Sequence, residues 1–102
     1  MPNYQNDSTN RLFAAFAGLQ TPEECRAFLE DLCTIKEIQD MAQRLDTAFL
    51  LKNGLSYQKI AEMVNVSSAT ISRVNRALIY GSNGYQTVIE NLSQKGENHE
   101  NQ

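Results

Sequence analysis

The segment LSYQKIAEMVNVSSATISRVNRAL, residues 55–78, decides the fold that we predict for this chain. Ser56 and Ser67 each precede a run with apolar residues three or four apart, which predicts two capped helices over about 57–64 and 68–79. Asn65 stands where the chain must reverse, and asparagine tolerates a positive φ better than most residues. Two short helices joined by about three residues predict a helix-turn-helix over about 57–79.

The apolar residues of this segment fit that arrangement. Ala61 is small, which lets the second helix cross closely over the first, and Val66 is expected to fill the turn. We expect six side chains to face inward, namely Ile60, Ala61, Val64, Val66, Ile71 and Val74.

The outer face of the second helix consists of short side chains and two arginines. Short side chains let a helix enter the major groove, which is about 12 Å wide, and an arginine can donate two hydrogen bonds to a guanine edge. The face over 67–72 and Arg73 should set base preference, whereas Lys52, Lys59 and Arg76 suit phosphates. The candidate DNA-binding residues are Ser67, Ser68, Ala69, Thr70, Ser72, Arg73, Arg76, Gln58, Lys59 and Lys52.

Charge is distributed unevenly along the chain, whose formal net charge is −3. Residues 52–81 contain four basic side chains and one acidic one, whereas residues 1–51 contain four basic and eight acidic ones. One basic segment in an acidic protein indicates a surface cleared of negative charge for DNA. The alternative interpretation is an ordinary solvated face on a small packing unit.

The segments before the helix-turn-helix predict three further helices. LFAAFAGL (12–19) is apolar on almost every side, so its helix must be covered, and a second copy of the chain is one candidate cover. Thr21 with Glu24 and Thr34 with Glu37 have the capping-box spacing, which predicts helices over about 22–33 and 35–52.

After the helix-turn-helix, a last helix is predicted over about 85–93. No segment predicts a strand, so the fold class is all-α with about six helices. We expect a helical DNA-binding domain over 10–93, a disordered N-terminal arm over 1–9 and a disordered polar tail over 94–102.

Several classes of function are not expected for this sequence. No apolar run reaches the roughly 18–20 residues of a membrane span, and the N-terminus lacks a signal-peptide layout, so we expect a cytoplasmic protein without membrane contact. Cys25 and Cys33 lie about 12 Å apart on one helix, too far for a disulfide. The only histidine is His99. We therefore expect no metal site, no cofactor and no enzymatic activity.

Three segments together resemble the tryptophan-repressor-related proteins, specifically the YerC/YecD branch. They are residues 55–78, LCTIKEIQDMAQRL (32–45) and YGSNGY (80–85), and TPEEC (21–25) also fits. The resemblance extends over roughly residues 11–92. It implies an intertwined homodimer whose outer helices form a shared core, a helix-turn-helix that reads near-palindromic operator DNA, and repression as the outcome.

The resemblance does not extend to the tryptophan corepressor. In an ungapped alignment Arg73 keeps the arginine of the recognition helix. However, the arginine that clamps the ligand falls at Gln43, and the glycine that makes room for the indole falls at Val74. The serine that meets the ligand's amino group falls at Ala77. We therefore expect no tryptophan binding.

Two alternatives to a ligand-independent regulator follow from the sequence. One is a protein-interaction module that keeps the fold without binding DNA, because only a few positive charges support the interface. The other is a regulator gated by a different small molecule.

Overall fold

A computed structural model describes residues 4–100, with side chains up to residue 94. Over that range the chain has six helices and no strand, which confirms the predicted all-α class. The helices are α1 (Asp7–Ala17), α2 (Pro22–Leu32), α3 (Ile35–Lys52), α4 (Tyr57–Val64), α5 (Ser68–Tyr80) and α6 (Gly84–Glu100).

The chain divides into two compact units, Met1–Ile38 and Gln39–Gln102. The first unit contains α1, α2 and the start of α3. The second contains the rest of α3 and the helices α4 to α6, and therefore holds the predicted helix-turn-helix.

Helix α1 begins earlier than the sequence predicted. Asn6 and Thr9 form a reciprocal capping box, in which the Thr9 amide donates to Asn6 Oδ1 and the Asn6 amide donates to Thr9 Oγ1, each at 2.9 Å. This box starts the helix at Asp7, within the segment that was expected to be an N-terminal arm. Residues 1–3 lie outside the described residues.

The next two helices begin at the predicted caps. The Glu24 amide donates to Thr21 Oγ1, but the Glu24 carboxylate accepts from the Gln20 amide at 2.8 Å instead of from Thr21. At the start of α3 the box is complete, since Thr34 Oγ1 accepts from the Glu37 amide and Glu37 Oε1 accepts from the Thr34 amide.

Within the first unit, one aromatic contact joins α1 and α2, and much apolar surface stays exposed. The rings of Phe16 and Phe28 meet edge to face with centroids 5.3 Å apart. No residue of α1 or α2 is buried. Leu32, at the end of α2, is 50% exposed, and Ile35, at the start of α3, is 75% exposed. The described residues of one chain therefore leave much of both side chains uncovered.

The second unit has a core of its own. Ala48 of α3, Val74 of α5 and Ile89 of α6 are buried together. Ile60 of α4 and Ile71 of α5 are wholly buried. Helix α5 packs against both α4 and α6, so its direction is set by neighbours within this unit.

Helix α6 continues to Glu100, well beyond the predicted end at about 93. The expected disordered polar tail over 94–102 stays a prediction, and residues 101–102 lie outside the described residues. Residues 94–100 contain no proline, and the glycine at position 96 costs only about 1 kcal/mol relative to alanine. Extension of an existing helix adds one hydrogen bond per residue.

Candidate nucleic-acid interface

Local capping fixes both helices of the helix-turn-helix. Ser56 Oγ accepts from the Lys59 amide at 3.2 Å, and Ser67 Oγ accepts from the Thr70 amide at 3.1 Å. Asn65 ends α4 with φ 59° and ψ 49°, the left-handed conformation expected from the sequence, and its amide donates to the Ala61 carbonyl. The predicted turn is therefore confirmed.

The inward side of the pair also agrees with the prediction. Ile60 and Ile71 are wholly buried and Val74 is 1% exposed. The other three positions, Ala61, Val64 and Val66, are half-buried. None of the six is more than partly accessible to water, so α4 and α5 pack along the predicted face.

The outer face of α5 is open to solvent. Positions 69, 72, 73 and 76 lie three or four residues apart, so their side chains share one side of the helix over about 10 Å of its axis. Thr70 is half-buried at the edge of this face. The exposed predicted residues on or next to it are Ser67, Ser68, Ala69, Ser72, Arg73 and Arg76.

The outer face of α5 is positively charged. The helix contains Arg73 and Arg76 and no acidic residue. In the part of the chain that the structure describes, neither arginine forms an ion pair or a side-chain hydrogen bond. Both guanidinium groups therefore keep all five N–H donors for an external acceptor.

One hydroxyl on this face is already engaged. Ser67 Oγ accepts from the Thr70 amide and donates to Thr70 Oγ1 at 3.1 Å. This pair caps the start of α5. The Thr70 hydroxyl accepts in the pair, so its own O–H can still donate to another group.

The remaining predicted residues lie on α3 and α4. Gln58 and Lys59 are exposed in the first turn of α4, where they line a shallow depression of about 180 Å³ with Ser56 and Glu62. Lys52 is exposed at the last position of α3, and its ammonium group donates to Gln86 Oε1. The structure thus brings Gln58 and Lys59 together and gives Lys52 a partner within the chain.

Gln86 is a residue that the sequence did not single out. Its amide nitrogen also donates to the Leu78 carbonyl, at 3.4 Å. Lys52 and Gln86 are 34 positions apart. No periodicity or motif links residues so far apart, so no local signal indicated this contact.

Comparison with known proteins identifies the family. The family described as Trp repressor protein matches residues 7–93 of this chain. The chain belongs to the Trp repressor family.

Relatives within this family are similar over most of their length. A TrpR-like protein from Eubacterium eligens ATCC 27750 is 43% identical, with a TM-score of 0.83 over 87% of this chain and 92% of that one. A solved structure from Staphylococcus aureus is 38% identical, with a TM-score of 0.83 over 87% and 89%. YerC, an uncharacterized protein of Bacillus subtilis (strain 168), is 44% identical over 83% of this chain and 82% of its own.

The family assignment confirms the resemblance that the sequence indicated. Trp repressor family proteins are DNA-binding regulators of transcription with an all-α fold that contains a helix-turn-helix, and they are not an enzyme family. In this chain α4 and α5 are the helices of that motif, with α5 as the second of the pair.

The three positions that the ungapped alignment sets against tryptophan contacts are Gln43, Val74 and Ala77. Val74 is buried beside Ala48 and Ile89, so its side chain is part of the core. Gln43 and Ala77 are half-buried. The Gln43 carbonyl accepts a hydrogen bond of 2.7 Å from the buried Thr47 hydroxyl.

Other kinds of site are not formed by the described residues. No group of three or more His, Cys, Asp or Glu side chains could hold a metal ion in residues 4–94. Cys25 and Cys33 are free, half-buried thiols. None of the described helices is long and apolar enough to cross a membrane.

Proposed function

We propose that this Trp repressor family protein is a homodimeric, sequence-specific transcriptional regulator that binds a near-palindromic operator in double-stranded DNA through α5. The observation that carries the proposal is the outer face of α5. It is exposed, it has no acidic residue, and its two arginines have no partner within the described chain.

The side chains divide into two roles. We assign base reading to Arg73 and to the short residues of the outer face, because short side chains allow the helix backbone to approach the base edges. Arg76, Lys59 and Gln58 lie at positions suited to phosphates. The base-reading set is Ser67, Ser68, Ala69, Thr70, Ser72 and Arg73. Lys52 was also expected to hold phosphate, but its ammonium group donates to Gln86 Oε1.

The exposed apolar surface of the first unit supports the homodimer. Phe13 is 44% exposed, Phe16 40%, Leu32 50% and Ile35 75%. Burial of apolar surface is worth roughly 25 cal/mol per Å², so a second copy that covers these side chains gains stability. Two recognition helices one DNA turn apart, about 34–36 Å, would then meet two half-sites.

We further propose that tryptophan is not the corepressor. Val74 is 1% exposed and fills its part of the core, where the Trp repressor itself has a glycine that makes room for the indole. Gln43 provides no cation for the ligand's carboxylate. Calorimetry with tryptophan should therefore give no saturable heat, whereas one filled site per subunit would contradict this part of the proposal.

By analogy with the Trp repressor family, we propose that the outcome of binding is repression and that the protein acts in the cytoplasm. The position of its operator relative to a promoter is the observation that bears on repression. An operator that overlaps the promoter supports it, and an upstream operator that raises transcription contradicts it.

The experiment that tests the proposed function is a selection of the purified protein against random duplex DNA. It is run without any added ligand at about 100 mM salt, where charge alone gives only weak binding. Enrichment of an inverted repeat is expected. If only weak, salt-sensitive binding without a consensus is found, the ligand-free regulator is contradicted in favour of a gated regulator or a protein-interaction module.

A further inference from the structure

Gln86, in the first turn of α6, joins three helices through one side chain. Its Oε1 accepts from the ammonium group of Lys52, the last residue of α3. Its Nε2 donates to the carbonyl of Leu78, in the last turn of α5. We call this set of two hydrogen bonds the Lys52–Gln86 clasp.

The Lys52–Gln86 clasp provides interactions for the C-terminal ends of two helices, α3 and α5. The last four carbonyls of a helix have no partner within the helix, and Leu78 is among the last four residues of α5. A lysine in the last turn of α3 also interacts favourably with the negative end of that helix. Gln86 connects these two helix ends to the start of α6.

The position of this contact matters for the DNA-binding face. Leu78 lies about 15 Å along the helix axis from Ser68, at the opposite end of α5 from the residues proposed to read bases. A small rotation of α5 about its C-terminal end, where the Leu78 carbonyl is bonded, therefore displaces the base-reading end of the helix more than the bonded end. Recognition groups must be held within about 0.5 Å of their productive positions, so the hydrogen bond from Gln86 to the Leu78 carbonyl affects base reading.

We propose that Lys52 and Gln86 are positioning residues that fix the direction of the recognition helix α5, and that Lys52 acts on DNA affinity through Gln86 and not through a phosphate. The inference rests on the proposed function. It reassigns Lys52, whose exposure and charge alone suggested a phosphate contact, because its ammonium group is bonded within the chain.

The test is a double-mutant cycle of Lys52→Met and Gln86→Met on the full chain. Affinities are measured for the selected operator and for an unrelated duplex between about 50 and 200 mM salt, the range over which phosphate contacts change affinity most visibly. A hydrogen bond contributes about 1 kcal/mol net, so Lys52→Met should bind the operator up to about fivefold more weakly, and Gln86→Met, which removes both hydrogen bonds, at least as weakly. The double variant should lose no more affinity than Gln86→Met alone.

The control and the readouts separate positioning from charge. Neither Lys52→Met nor Gln86→Met should change the affinity for the unrelated duplex or the slope of affinity against salt. Lys59→Met should reduce that slope by about 1 and combine additively with Gln86→Met. A reduced slope for Lys52→Met, additive losses in the cycle, or unchanged operator affinity in Gln86→Met would each overturn the proposal.

Thermal unfolding of the same four proteins keeps the inference separate from the proposed function. Lys52→Met should lower Tm by about 5 °C and Gln86→Met, which removes both hydrogen bonds, by at least as much, whereas the double variant should lose no more than Gln86→Met alone. If the wild type selects no operator, the proposed function fails. The unfolding cycle then still decides on the Lys52–Gln86 clasp itself, since additive Tm shifts would refute it.

Discussion

The helix-turn-helix unit and the α1–α2 unit differ in how well a single chain covers them. In the helix-turn-helix unit, Ile60 and Ile71 are wholly buried, and Ala48, Val74 and Ile89 form a core within Gln39–Gln102. In the α1–α2 unit, no residue of α1 or α2 is buried, although LFAAFAGL is a highly apolar segment. The difference indicates that the reading helix is built by one chain, whereas the α1–α2 unit provides the surface that we propose pairs two chains.

The largest predicted effect is the loss of chain pairing when a charge is placed in the proposed pairing surface. Ile35 is 75% exposed and begins α3, where an aspartate is favourable for the helix dipole, so a single chain should tolerate Ile35→Asp. If two chains bury this position, each unpaired carboxylate costs about 3 kcal/mol or more. Sedimentation at micromolar concentration should show twice the chain mass for the wild type and one chain mass for the variant.

The matched control is Ile79→Asp, because Ile79 is also an exposed isoleucine (59%) but lies on α5. This variant should keep the two-chain mass. A two-chain mass for Ile35→Asp, or a wild type that sediments as one chain, would contradict the pairing role of the α1–α2 unit.

A second prediction tests whether the helix-turn-helix core is complete within one chain. Ile71→Ala removes part of a wholly buried side chain and should lower the free energy of unfolding by about 3 kcal/mol. Ile79→Ala, on the same helix but exposed, should change it by no more than about 0.5 kcal/mol. Urea denaturation at one fixed protein concentration measures both. An equal loss of unfolding free energy in both variants would mean that Ile71 and Ile79 do not differ in burial in solution.

A third prediction sharpens the division between reading and pairing. Arg73→Ala should weaken binding to the selected operator by about 2 kcal/mol, because a bidentate contact to a base is lost. Arg26→Ala removes the same charge from α2 and should leave operator affinity unchanged. Fluorescence anisotropy with labelled duplex measures both variants. The same loss for both would show a general charge effect and remove the reading role from the α5 face.

The smallest predicted effect concerns the turn between α4 and α5. Asn65 has φ 59°, a conformation that costs most residues about 1 kcal/mol or more, so Asn65→Ala should lower the free energy of unfolding by about that amount. Asn65→Gly, which has no Cβ, should be neutral within about 0.5 kcal/mol. Thermal unfolding distinguishes the two. A harmless alanine would mean that the turn has a different backbone in solution.

The helix-turn-helix could be predicted because its signals are local. Ser56 and Ser67 cap helices within three residues, Asn65 marks the reversal, and the apolar spacing fixes the buried side. The start of α1 was missed because Asn6 and Thr9 lie in a polar stretch that also resembled a disordered arm. The end of α6 could not be predicted because the residues after 93 are polar and provide no apolar periodicity, although the helix continues to Glu100.

Other features could not be read from local patterns. The apolar segment LFAAFAGL (12–19) predicts a helix that needs cover, but it does not tell whether the same chain or another one provides it. The contact between Lys52 and Gln86 depends on how three helix ends meet in space. Exposure and charge alone therefore assigned Lys52 to phosphate, and only the folded arrangement identified its partner.

The most direct measurement is the mass of the complex on the selected duplex, repeated with one half-site scrambled. If paired chains present two copies of α5, one intact duplex should bind two chains, and scrambling one half-site should weaken binding by at least about tenfold, since each lost base contact costs about 1–3 kcal/mol. One chain per intact duplex, or equal affinity for both duplexes, would contradict a dimer that reads DNA through two α5 helices.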